Sequence, residues 1–181
     1  SEVEEVLRRS RESAKKSKEH SRELLEKVKR IIDDVKRLVR EVLKRSRDSI
    51  KRVEDLTRRG DIDEDTVRDV VRRNKRLLDE LRRAVEDAVR KIDEELKRNE
   101  RDVERVVREN EELLKDLLRR RDTEKVKEAV KESRDLLRKV EETNRRVNDE
   151  VRKLLEDIRR DVERAVEESE RLLEDIVRKV K

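Results

Sequence analysis

An apolar stripe of Leu, Val, Ile and Ala at helical spacing runs through almost the whole chain, and it leaves little choice of fold. From the pair Val70/Val71 to the pair Leu117/Leu118 the stripe takes 13 steps over 47 residues, about 3.6 residues per step, and Ala129/Val130 to Ile176/Val177 gives the same. That is the period of an α-helix. Single and paired apolar positions alternate, so about three residues in seven are apolar, the width of a helix facing a bundle rather than a narrow two-stranded seam. A strict 3.5-residue repeat winds helices into a left-handed supercoil, whereas 3.6 predicts nearly straight ones.

Composition matters here because it offers a competing reading. Charged residues make up 58% of the chain and hydrophobic ones 31%, values that in an aperiodic sequence would suggest disorder. The regular stripe argues for helix instead. The chain has no Pro, Cys, Met, Gln or aromatic residue. Without Cys there are no disulfides, thiolate metal sites or cysteine nucleophiles, and the redox compartment stays undetermined. No apolar run approaches the roughly 20 residues that a membrane-spanning helix needs. The opening Ser1-Glu2-Val3-Glu4 resembles neither a signal nor a transit peptide, so a soluble protein of undetermined compartment is expected.

Boundaries follow from local signals. Ser1 with Glu4 has the pattern of a capping box, and a helix is expected over about 2–59. Gly60, the only glycine, stands where a helix end needs a residue tolerant of positive φ. Asp63 is a good N-cap for a second helix over about 64–119, with acidic residues in its first turn and Ile62 placed to staple onto Val67. The stripe lapses over residues 119–122, where Asp122 can cap a third helix over about 123–180 whose last stripe position is Val180. The short connections predict one up-down-up antiparallel three-helix bundle, each helix roughly 85–90 Å long.

The stripe is interrupted only by polar residues. The densest interruption contains Ser10, Ser13, Ser17, His20 and Ser21, all at apolar spacing. If antiparallel neighbours in the first two helices have numbers summing to about 122, and those in the last two to about 242, these interruptions align. Asn110 falls level with Ser10, Ser13 and Ser133; Asn99 with His20, Ser21, Thr143 and Asn144; Asn74 with Ser46, Ser49 and Ser169. Ser17 lies between the first two groups. A buried polar group left unpaired costs about 1–3 kcal/mol, so three shared layers in which the groups satisfy one another would pin the helical register.

The three matched layers, the core of Leu, Ile, Val and Ala alone, the repetitive Glu/Asp/Lys/Arg surface and the very short turns resemble de novo designed helical bundles with buried hydrogen-bond networks. The resemblance is to a style of design rather than to a homologous family, and it implies a scaffold, an assembly element or a helical switch. A spectrin-like three-helix repeat is the nearest natural comparison, and the missing aromatics, Met and Gln argue against it.

Chemistry-bearing patterns are few. His20 is the only histidine and is expected as a neutral member of the second layer, with pH sensing as the functional alternative. One His without Cys cannot build a zinc centre, and no metal or cofactor is expected. Serines beside His20 lack the cleft and third group of a nucleophilic site, and the carboxylates fall on outward faces, so no enzyme is expected. Basic residues outnumber acidic ones twenty to thirteen in residues 1–59, while the other two thirds each lean acidic by one. This bias could attract nucleic acid or an acidic membrane, but the charges are interleaved and there are no aromatics for base stacking, so neither partner is expected. A structural scaffold with a closed core and no required partner is the leading expectation. The competing one is a module that captures a partner helix or self-associates through incompletely covered stripes.

Overall fold

The computed structural model describes residues 1–61 and 63–180. The staple expected from Ile62 to Val67, and the side chain of Val180, lie outside the described residues. Three α-helices of 57 residues each follow one another: α1 (Glu2–Arg58), α2 (Glu64–Arg120) and α3 (Glu124–Val180). Their bounds fall within a residue of those expected from the stripe.

Local chemistry explains each end. The Glu4 N–H donates to Ser1 Oγ at 3.3 Å and opens α1. At the other end Gly60 takes φ 72°, its N–H donates to Thr57 O, and the Asp61 N–H donates to Leu56 O, each at 3.1 Å. These two bonds form a Schellman motif, which satisfies carbonyls that have no partner further along the helix. Asp63 caps α2 by accepting from the Thr66 N–H at 2.7 Å. For α3 the cap is Thr123 and not the expected Asp122: the Val126 N–H donates to Thr123 Oγ1 at 3.3 Å. Asp122 instead meets Lys127 Nζ at 3.3 Å.

The Asp63 cap makes a pH-dependent contribution. Hydrogen bonds from the Thr66 side chain, and then from its backbone, hold the fully exposed Asp63 carboxyl below the ordinary aspartate range. A lowered folded value means that the contribution is complete above the unfolded pKa of about 4 and is lost as pH falls through the folded value. Asp63→Asn keeps an acceptor for Thr66 without titrating. Urea midpoints of the two proteins, measured from about pH 5 to about pH 2, are therefore expected to converge on acidification as the wild type loses its excess.

The contacts gather into two units, each containing part of all three helices: Ser1–Lys29 with Ile92–Lys153, and Arg30–Lys91 with Leu154–Lys181. In the first unit Lys27 pairs with Glu95 at 2.7 Å and Arg120 with Glu2 at 3.8 Å, which sets α2 antiparallel to α1. Arg11 with Glu132 at 3.4 Å and Lys29 with Glu150 at 3.6 Å set α3 parallel to α1. These pairs are largely exposed and worth about 0–1 kcal/mol each, so they report the topology more than they stabilise it. The stabilisation comes from the core, in which Leu7 and Ala14 of α1 pack with Val103, Leu114 and Leu117 of α2 and Val130, Leu137 and Val140 of α3. Each fully buried Leu or Val contributes about 1.5–3 kcal/mol.

In the second unit Arg82 pairs with Glu163 at 3.1 Å and Arg159 with Glu86 at 3.6 Å, an antiparallel α2/α3 contact. Its fully buried side chains include Val53 of α1, Leu78 and Leu81 of α2, and Val166 and Leu173 of α3. Both units thus show the same up-down-up packing of three helices.

Candidate functional site

The polar interruptions of the stripe form the candidate site, and the three groups differ in how their hydrogen bonds run. Around Asn99 the layer is closed across all three helices. Asn99 Nδ2 donates to Ser21 Oγ of α1 and to Asn144 Oδ1 of α3, each at 3.1 Å. Ser17, Ser21 and Asn144 are buried, and Asn99 and Thr143 half-buried. A single amide therefore ties one helix to both others.

The same unit holds Ser10, Asn110 and Ser133, all buried, and Ser13, half-buried. Asn110 Nδ2 donates to Val106 O of its own helix at 2.7 Å and to Ser13 Oγ at 3.3 Å, joining α1 to α2. Ser133 Oγ, on α3, has no partner, so this layer joins two helices where three were expected. In the second unit Ser46, Asn74 and Ser169 are buried and Ser49 half-buried. Their bonds turn inward upon their own helices: Asn74 Nδ2 donates to Val70 O at 2.8 Å and Ser49 Oγ to Arg45 O at 3.0 Å. Asn74 Oδ1 and Ser46 Oγ have no partner. The expected mutual satisfaction thus fails here, because the carbonyl one turn back is always within reach of a short polar side chain and competes with any partner on another helix.

Two residues depart from the sequence reading. His20 belongs to no layer: its side chain is 73% exposed and its Nδ1 lies 3.9 Å from Glu23 Oε2. Adjacent helical residues point about 100° apart, and at this pair the Ser21 hydroxyl takes the buried position while His20 is turned to solvent. The second departure is Asn148, which the sequence reading passed over because Val147 already filled that step of the stripe. Asn148 is 8% exposed and stands one turn from Asn144 on the same face, and its Oδ1 has no partner. The alternation gave no sign of it, since after the single position Val140 and the pair Thr143/Asn144 it calls for one position, which Val147 fills; only the spacing of four from Asn144 pointed to the same face.

An exposed imidazole has no buried network to disrupt on protonation. His20→Ala is therefore expected to leave the unfolding free energy in urea within about 0.5 kcal/mol of the parent, and a marked destabilisation would return His20 to the layer. Among the described residues no group of three or more His, Cys, Asp or Glu is placed to hold a metal ion, and no helix is long and apolar enough to cross a membrane.

No protein-family model matches the chain, and no curated protein matches it. A solved structure described as a "computationally designed three helix bundle" aligns with 99% of this chain and 89% of its own, at 19% identity and a TM-score of 0.50. The two share a fold. In its three long helices, its bundle packing and its buried polar side chains, this chain resembles designed helical bundles.

Proposed function

We propose that this chain is a designed structural scaffold without catalytic activity, whose helix register is specified by its buried polar layers. The observation that carries this reading is the double donation from Asn99 to Ser21 and Asn144. Shifting any one helix by a turn, about 5.4 Å, would carry at least one of these groups out of reach and leave it buried without a partner. The restricted core alphabet and the description of the matched structure support a designed origin.

The chain has no Cys, so nitroxide labels on cysteines introduced as Lys27→Cys and Glu95→Cys report a single α1/α2 distance. A narrow distance distribution is expected in the parent, and a broadened or multiple one once Ser21→Ala, Asn99→Leu and Asn144→Leu remove the layer. An unchanged distribution would leave the turns and the apolar core as what sets the register.

A second reading, a module that binds a helix or a further copy of itself, is favoured by one specific feature of α1. No residue between Ile32 and Val42 is buried, although Val35, Leu38 and Val39 continue the stripe there. On α3, by contrast, a buried residue recurs at least every four positions from Val126 to Ile176.

A further inference from the structure

The basic excess of the first third is not evenly interleaved where α1 meets α3. In the first unit Arg11 with Glu132 and Lys29 with Glu150 join the two helices across their seam, at 3.4 and 3.6 Å. On both helices these pairs lie eighteen residues apart, about five full turns, so they take the same direction and fix the register of everything between them. Within about 40° of that direction α1 presents Lys15, Lys18, Arg22 and Leu25 between the pairs, and α3 presents Leu136, Lys139, Thr143 and Arg146. Five of these side chains are basic and none is acidic.

Each of the two bracketing pairs sets a cation against a carboxylate. Lys18 and Lys139 both lie seven residues past the first pair, so they stand level with one another, and here cation is set against cation. The nearest acids, Glu19 and Glu26 on α1 and Asp135 and Glu142 on α3, point about 60–80° away from the seam, on its solvent side. Asp135 is moreover paired with Arg138 at 3.4 Å. Among the described residues none of the five basic side chains has a carboxylate within 4 Å, although the cations at both ends of the row do. Lys15, Arg22, Lys139 and Arg146 are exposed and Lys18 is half-buried, as are Leu25 and Leu136 beside them. A row of one sign over apolar side chains focuses its potential and concentrates counter-ions of the other sign.

We infer that the α1/α3 seam of the first unit binds a short linear polyphosphate, whose phosphates lie along the row and supply the anions that Lys18 and Lys139 do not find in each other. The five cations span about 15 Å along the helix axes, so a chain of phosphates meets cations of both helices, whereas a single phosphate meets one or two of them. Arg22 and Arg146 offer guanidinium forks to pairs of phosphate oxygens, and the three lysines act as point charges between them.

Isothermal titration calorimetry of the whole chain with inorganic tripolyphosphate tests this. One tripolyphosphate is expected per chain, bound at least about tenfold more tightly than inorganic phosphate. Lys139→Glu sets a carboxylate level with Lys18, on the pattern of the two bracketing pairs. It is expected to weaken tripolyphosphate binding at least about tenfold while keeping the helicity and urea midpoint of the parent. Arg98→Glu, at an exposed position on α2, changes the net charge by the same amount and is expected to weaken binding less than about twofold. A parent that binds no tripolyphosphate, or a Lys139→Glu variant that binds it as the parent does, would overturn the inference. So would equal losses from Lys139→Glu and Arg98→Glu, because the attraction would then come from the net charge of the chain and not from the seam. Inorganic phosphate bound as tightly as tripolyphosphate would overturn the row as a linear site.

Discussion

Truncating Leu78 to alanine is expected to lower the unfolding free energy by about 2–5 kcal/mol. Leu78 is completely buried, in a unit whose other fully enclosed side chains include Leu81 and Val166. Long helices held together by interdigitated side chains cannot close over the void, so the cavity adds to the lost transfer energy of the removed methyls. The same truncation at Leu38, which is 37% exposed, removes little buried area and is expected to cost less than about 1 kcal/mol. Equilibrium urea unfolding of the two variants side by side checks the contrast. The experiment also tests whether the chain melts as a single domain. Each helix passes without a break from one unit into the other, so Leu78→Ala is expected to move one cooperative transition as a whole, whereas two transitions of which only one moves would show that the units unfold separately.

How much of this was legible in the sequence depends on which physical term decides each feature. Helix number, order and length follow from apolar period and from Gly60, since no other residue in the chain tolerates φ 72° as readily. The layers were legible at the level of register. Asn99 and Ser21 sum to 120, Asn110 and Ser13 to 123, and Asn99 and Asn144 to 243, close to the 122 and 242 that the short turns imply. What spacing could not give is where each amide points. Asn74 and Asn110 both donate to the carbonyl one turn back, a bond that depends on a rotamer and not on position along the stripe. Asp122 and Thr123 are adjacent and both able to cap, so a one-residue shift in the start of α3 escapes any propensity argument. The uncovered stretch over residues 33–41 was invisible for a further reason: its stripe is unbroken, and burial depends on what lies opposite.

Asn74→Leu is expected to raise stability by about 1–2 kcal/mol, and Asn99→Leu is not, although the two substitutions are chemically identical. Asn74 is buried, donates only to Val70 O of its own helix and carries an unpartnered Oδ1. Leucine removes that unsatisfied acceptor and adds apolar area to the second unit's core, and the Val70 carbonyl keeps its place in the helical ladder. Ser46 Oγ lacks a partner already, so nothing further is stranded there. At Asn99 the same change deletes the donor that both Ser21 Oγ and Asn144 Oδ1 accept from, and two groups in buried residues lose that bond at once. The desolvation cost of those groups, about 1–3 kcal/mol each, offsets what the leucine gains, and it is removed only if a helix slips to find other partners. Urea midpoints give the stabilities, and the spin-label distance between positions 27 and 95 reports the slippage. Stabilisation at both positions with no change in distance would mean that the Asn99 layer, like the Asn74 layer, is tolerated by the fold and does not specify it.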